Sequence, residues 1–233
     1  MKSKISSIVF LLAIFLATAT AQAKEEVRSL SAFSKISLRI SAKVFLVQGE
    51  KQSVKIVAEP ETLEEIVTEV KDRTLAIRYP GNNFFRNWNP GKVEIYITVP
   101  EIDGLSVSGS GDINANEVKS RIIDLAISGS GNIKIDRLTA EKVDAAISGS
   151  GNISVSSGGV AQNLKARISG SGNIHAEGFE AENVDVQTSG SGNCSVTTNG
   201  ALNVRVSGSG NVYYSGNPSI DSSISGSGKV KKR

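Results

Sequence analysis

The sequence of 233 residues is poor in the side chains that build most metal and nucleophilic sites, because it has one cysteine and one histidine. A single cysteine, Cys194, excludes an internal disulfide, so packing and hydrogen bonding must stabilise the chain. A single histidine, His175, leaves no zinc-ligand spacing and no visible pair of nucleophile and base. We therefore predict no catalytic residue, no metal site and no cofactor.

Long apolar runs are also lacking, apart from one block at residues 5–17. This block is too short to span a bilayer. It follows Lys2 and Lys4, and small residues come before a charged stretch after Ala23. The order is typical of a signal peptide, residues 1–23, that is cleaved after export. We expect no membrane-spanning segment, and a periplasmic, outer-surface or extracellular location.

The sequence also carries little net charge. The formal net charge is +3, and four positive charges lie in the last five residues, Lys229 to Arg233. The rest of the chain offers no basic groove, so we predict no nucleic-acid partner. The basic tail is expected to charge the last open strand and discourage end-to-end pairing, or alternatively to bind a membrane surface.

A motif close to Ile-Ser-Gly-Ser-Gly-Asn dominates what is present. Its first serine recurs at spacings of 18 to 21 residues, at Ser108, Ser128, Ser148, Ser169, Ser189, Ser207 and Ser225. A flexible linker has no reason to keep a period, whereas a solenoid coil does. Apolar residues alternate with period two on both sides of each motif, which indicates two strands per coil. We predict an all-β fold, a single-stranded right-handed parallel β-helix.

The last motif position predicts a polar ladder. It is occupied in successive copies by Asp112, Asn132, Asn152, Asn173, Asn193 and Asn211, with Lys229 in the final copy. Stacked amides can each donate to one neighbour and accept from the other. The following position is apolar in every copy and includes Cys194, which is expected to be a core residue. The glycines suit a sharp corner with positive φ or close backbone approach.

The first third of the chain after residue 23 keeps the strand alternation but lacks the motif. Its apolar runs start at residues 36, 54, 75 and 93, at the same period. We interpret residues 24–107 as irregular coils of the domain whose regular coils are residues 108–233. The alternative is a separate small β-sandwich that ends near Pro100. A single helix is predicted at residues 61–70.

One loop, residues 79–91, concentrates aromatic side chains between two Pro-Gly pairs that mark turns. It contains Phe84, Phe85 and the single tryptophan, Trp88. The loop is interpreted either as a flap over the solenoid or as an exposed contact. Large aromatic side chains are common anchors for partner proteins and sugar rings, so these three are the predicted partner-contact residues.

Several segments together resemble a known family. They are Phe33-Ser34-Lys35-Ile36, the stretch Val44 to Gly49, the strand Tyr96 to Pro100, the stretch Leu105 to Ile113, and the later Gly-Ser-Gly-Asn-Ile copies. With the signal peptide, they resemble the GIN-domain family of autotransporter adhesin heads in Bacteroidetes-type bacteria. The resemblance covers essentially the whole mature chain. It implies a right-handed β-helix, no recognised catalytic residues and a role in cell adhesion.

These observations favour a non-enzymatic exported protein that binds a cell-surface glycan or protein through the side of its solenoid. Two alternatives stay open. A polysaccharide-active β-helix enzyme would use the outward side chains Asp144, Lys165, Arg167 and Asp185, although alternating charges are ordinary on an exposed face. A structural scaffold would self-associate end to end into an oligomer.

Overall fold

The computed structural model describes residues 23–81 and 90–233, which form strands and one short helix. Within these ranges no helix has the length and hydropathy that crossing a membrane requires. The elements are β1 (Lys24–Arg28), β2 (Lys35–Leu38), β3 (Lys43–Gln48), β4 (Ser53–Ala58), α1 (Pro60–Glu65), β5 (Val67–Lys71), β6 (Thr74–Arg78), β7 (Glu94–Val99), β8 (Gly104–Gly109), β9 (Asp112–Gly129), β10 (Asn132–Gly149), β11 (Asn152–Gly158), β12 (Val160–Gly170), β13 (Asn173–Gly190), β14 (Cys194–Thr197), β15 (Ala201–Gly208), β16 (Asn211–Ser215), β17 (Ser219–Gly226) and β18 (Lys229–Lys232).

The regular coils stack in parallel and in register, one motif period apart. Strand β9 pairs with β10 from Asp112 opposite Asn132 to Gly129 opposite Gly149. Parallel pairing continues through β11 to β18, with one register shift between β13 and β14, where the coil becomes shorter. The predicted all-β parallel solenoid is therefore confirmed. The period of the motif is the length of one coil.

The regular coils from β9 to β13 have three paired stretches rather than the two strands predicted, whereas the shorter coils of β14–β15 and β16–β17 have two. In β10, two consecutive residues are exposed at 136–137 and again at 141–142. Pairing with β9 is interrupted at 136 and at 141, so these points are corners. The stretch between them buries Leu138 and Ala140. It was missed because two inward positions are too few to reveal an alternation.

An apolar ladder fills the centre of the coils, as predicted. Its members align in register and are at most 1% exposed: Ile113, Ile133, Ile153, Ile174, Cys194 and Val212. Burial raises the pKa of the Cys194 thiol to about 12. Cys194 is therefore a small core residue. The last member, Val230, is only partly buried, since among the described strands β18 pairs with β16 alone.

Residues 24–107 share the two main columns of the solenoid but not its uniform strand direction. Strand β2 pairs in parallel with β8, and β3 pairs in parallel with β9. In contrast, β4 is antiparallel to β1 and β7, and β5 is antiparallel to β6. The interpretation of this region as parallel coils is therefore wrong for β1, β4 and β5. The hairpin between β5 and β6 turns through Asp72 and Arg73, whose φ angles are 49° and 58°, as a two-residue hairpin turn requires.

The helix is shorter than predicted, because α1 ends at Glu65 and the residues up to Lys71 belong to β5. Pro60 stands at the start, where its fixed φ and missing N–H are tolerated. The chain is already extended at Ile66, and β5 then satisfies its backbone groups against β6. Leu63 and Ile66 are each 2% exposed, so this segment covers one end of the core.

Candidate functional site

The corner formed by the repeated motif needs both of its glycines. The first glycine of every copy, from Gly109 to Gly226, has φ between 110° and 134°, a conformation that side chains rarely permit. At the second glycine, Gly151, an added Cβ would collide with the carbonyl oxygen of Gly131 and lie 2.8 Å from Ile127 Cγ2. The motif is therefore a corner that lets coils approach closely.

The asparagine ladder forms as predicted, with every amide donating toward the N-terminal end. Asn132 Nδ2 donates to Asp112 Oδ1 at 2.7 Å, and Asn152 donates to Asn132 at 2.9 Å. Asn173, Asn193 and Asn211 continue the row with donor–acceptor distances of 3.0 to 3.2 Å. All six predicted ladder residues thus lie together, partly buried. Lys229 aligns with Asn211 at the far end.

Two columns of outward side chains precede the motif on one face of the solenoid. The first contains Asp124, Asp144, Lys165, Asp185, Asn203 and Asp221, and the second contains Ala126, Ala146, Arg167, Gln187, Arg205 and Ser223. Arg167 forms an ion pair with Asp144, and Asn203 donates to Asp185 at 3.1 Å. These carboxylates are therefore engaged by neighbours within the face.

A shallow groove of about 460 Å³ runs along this face, and we call it the lateral groove. It exists because Ala126 and Ala146 are the smallest members of their column, while Arg167 and Gln187 are larger. Its other edge is the row of exposed motif serines Ser108, Ser128, Ser148, Ser169 and Ser189. Five coils at about 4.8 Å make this edge about 19 Å long. The motif serines thus face solvent, whereas the ladder asparagines are partly buried.

A second groove, of about 500 Å³, lies where the predicted aromatic loop leaves the fold. Arg39, Arg78 and Tyr79 line it beside the first motif corner at Gly109. Partial burial raises the pKa of Tyr79. The predicted partner contacts Phe84, Phe85 and Trp88 lie outside the described residues.

Three of the four side chains proposed for the enzyme alternative line a small charged cavity, which does not contain a pair of carboxylates. Lys165, Arg167, Asp185 and Arg205 surround a space of about 210 Å³. Asp144 and Asp185 are two coils apart in their column, at about 9.6 Å. In residues 23–81 and 90–233, no group of three or more His, Cys, Asp or Glu side chains could hold a metal ion. The arrangement can recognise hydroxyls and anions.

Comparisons with known proteins agree with this geometry. A family model described as "Putative auto-transporter adhesin, head GIN domain" matches residues 32–218. The crystal structure of a "putative adhesin" from Bacteroides fragilis is 26% identical, with a TM-score of 0.83 over 91% of this chain and 97% of that chain. Curated proteins give no match.

Two crystal structures from Parabacteroides distasonis share the fold at lower identity. One, a "putative adhesin", is 22% identical with a TM-score of 0.70 over 92% of this chain and 98% of that chain. The other, a "putative lipid binding protein", is 23% identical with a TM-score of 0.69 and the same coverage. At these identities the likeness concerns the fold alone.

Proposed function

The chain belongs to the family described as the head GIN domain of autotransporter adhesins, and from this premise we propose that it is an exported, non-enzymatic binding module. Its partner is a glycan or protein on a cell surface. The contact is the lateral face of the solenoid, extended by the aromatic loop with Phe84, Phe85 and Trp88. Residues 24–233 form one domain that remains after cleavage of residues 1–23.

The lateral groove is the observation that supports this proposal. Its serine edge is part of a stack of hydrogen-bonded strands, so the hydroxyls keep their spacing without a partner. A preorganised surface loses less conformational entropy on binding. Arg167, whose side chain is 49% exposed, and Gln187 add donors at one end. Such a surface suits an extended polymer that carries hydroxyl or carboxylate groups.

The polysaccharide-active enzyme is a weaker candidate for the same face. A glycosidase needs one carboxyl group as an acid and a second as a base or nucleophile. Here Asp144 is paired with Arg167, and Asp185 accepts from Asn203. Both carboxylates are thus engaged by neighbouring side chains of the same face, so neither is free to act as the acid or the nucleophile.

A binding experiment on a glycan array tests the proposal. We expect Arg167→Ala to lose most of the binding, and Trp88→Ala to weaken it if the aromatic loop contributes. The matched control is Arg137→Ala, because Arg137 is also an exposed arginine but lies on the middle stretch of β10, between the corners at 136 and 141 and away from the groove. Equal binding by the Arg167 and Arg137 variants would contradict the role of the lateral groove.

A turnover assay on anionic polysaccharides separates the binding module from the enzyme. We expect no turnover by the wild-type chain. Turnover that disappears in Asp144→Ala and Arg167→Ala would overturn the non-enzymatic proposal. Fractionation of cells that express the protein tests export, because the proposal requires the chain beyond the cytoplasm and shortened by about the predicted signal peptide.

A further inference from the structure

The two ends of the solenoid are closed differently. At the N-terminal end, α1 packs against β1 and β4, and its segment buries Leu63 and Ile66. At the C-terminal end, inward positions are uncovered. Ile220 and Ile224 are 41% and 42% exposed, although the residues aligned with them one coil earlier are buried. The core therefore ends in an exposed apolar layer at the C-terminal end.

Both ends present open strand edges from the same two columns. Among the described strands, β17 pairs on one side with β15, and β18 pairs on one side with β16. At the other end, β5 is the outermost strand of the column that leads to β17, and β1 is the outermost strand of the column that leads to β18. Free strand edges are templates for pairing with another chain.

The charges of the two ends are opposite. The charges of β1 cancel, because Glu25 and Glu26 stand against Lys24 and Arg28, but α1 packs against β1, and residues 59–69, which form α1 and most of β5, contain five glutamates and no lysine or arginine. The last five residues contain four basic side chains, of which Lys229 and Lys231 are exposed on β18. Two C-terminal ends brought together would oppose like charges, so the basic tail discourages pairing between two such ends, as expected from the sequence. A C-terminal end brought to an N-terminal end would instead oppose unlike charges.

We propose that the chain self-associates head to tail, with strands β17 and β18 of one copy pairing with strands β5 and β1 of the next. The contact covers Ile220 and Ile224, satisfies open edges at both ends and neutralises the basic tail. A head-to-tail contact uses two different surfaces, so it does not close on itself and generates a filament unless the rotation forms a ring. This assembly is independent of the binding role proposed for the lateral groove.

Cysteine cross-linking tests the polarity of the contact. We would introduce Ser223→Cys on β17 in one preparation and Lys71→Cys on β5 in another, each in the chain that starts at Lys24, and add a short bifunctional maleimide. The native Cys194 does not compete because it is fully buried. We expect dimers only when the two variants are mixed. The matched control is Thr139→Cys, an exposed position on the side of β10.

Each outcome of the cross-linking experiment supports or excludes the head-to-tail contact. Dimers of the Ser223→Cys chain alone would indicate a tail-to-tail contact and overturn the proposal. Equal cross-linking of the Thr139→Cys control would indicate random collision, and no cross-linking in the mixture would exclude the contact. A chain that carries both end cysteines should give a ladder of multimers.

Sedimentation at two salt concentrations tests the role of charge. We expect association to weaken at least about tenfold between 0.05 M and 0.5 M salt, because exposed charges are screened. Lys229→Glu with Lys231→Glu should weaken association to a similar extent in low salt. The same two changes combined with Glu61→Lys and Glu64→Lys should restore it. Association of the first variant that equals the wild type would contradict the proposal.

Discussion

The two parts of the solenoid reach the same core by different means. In residues 108–233 the chain turns at glycine corners and every strand runs parallel to its neighbour. In residues 24–107 it also uses a hairpin, a helix and antiparallel strands. A regular coil thus depends on a corner that only glycine fits, whereas the irregular part distributes its turns among several residue types. Sequence regularity in the second part is therefore a packing requirement.

We expect the largest loss of stability from substitutions at the glycine corners, which only the regular coils use. We expect Gly151→Val to lower the free energy of unfolding by more than about 3 kcal/mol, because the new side chain would collide with the Gly131 carbonyl. Urea denaturation measures the change. The control is Gly159→Val in the same coil, where an added Cβ has no neighbour within 4 Å. Similar losses in both variants would contradict the corner argument.

The asparagine ladder is a second stabilising feature that only the regular coils have. Asn152→Ala leaves Asn132 Oδ1 without its donor and Asn173 Nδ2 without its acceptor. We expect a loss of about 2 kcal/mol, since partly buried polar groups that lose their partners are destabilising. Asn203→Ala is the control, because its hydrogen bond to Asp185 is exposed. A smaller loss for Asn152 than for Asn203 would show that the ladder contributes little.

Alkaline pH tests the apolar ladder through Cys194. Burial in the folded chain raises the pKa of its thiol from 9.0 to about 12. Between these values only the unfolded chain ionises, so stability falls as pH rises, by up to about 1.4 kcal/mol per pH unit. The measurement compares wild type with Cys194→Val from pH 8 to 11. Parallel curves for the two proteins would show that the thiol is not protected.

We expect a small gain in stability when one buried hydroxyl in the regular coils is removed. Thr188 is 1% exposed in a column otherwise occupied mainly by isoleucine and valine, and its Oγ1 has no hydrogen-bond partner among the described residues. We expect Thr188→Val to stabilise the fold by about 1 kcal/mol. Thr198→Val should instead destabilise it, because Thr198 Oγ1 donates to Glu182 O at 3.1 Å. Thermal unfolding of both variants checks the opposite signs.

Most of the regular region could be predicted because its signals repeat. The period, the ladder from Asp112 to Asn211 and the inner isoleucine column each recur in successive coils. The middle stretch, between the corners at 136 and 141 in β10, was not predicted. Each coil that has this stretch contributes only one or two inward residues there, such as Leu138 or Phe179. Phe179 fits only because Gly158 lies against its ring, a pairing across coils that adjacent sequence does not reveal.

The irregular region was harder to predict for a physical reason. Alternation shows that a segment is a strand but does not encode its direction, so β4 and β5 could not be identified as antiparallel. The valines at 67 and 70 are three residues apart, a spacing that favours a helix, but pairing with β6 makes the segment a strand. The lateral groove likewise depends on which columns meet, although its residue Arg167 was already expected to face outward.

The hydrogen bonds of the asparagine ladder all point in the same direction along the solenoid. Each amide donates a hydrogen bond toward Asp112, and the amides from Asn132 to Asn193 each accept one from the next coil. Turning over one amide would bring two oxygens together on one side and two NH₂ groups together on the other, so a reversal can enter only from an end. The carboxylate of Asp112 accepts but cannot donate when ionised. One acidic residue at the first corner thereby sets the orientation of five side chains in succession.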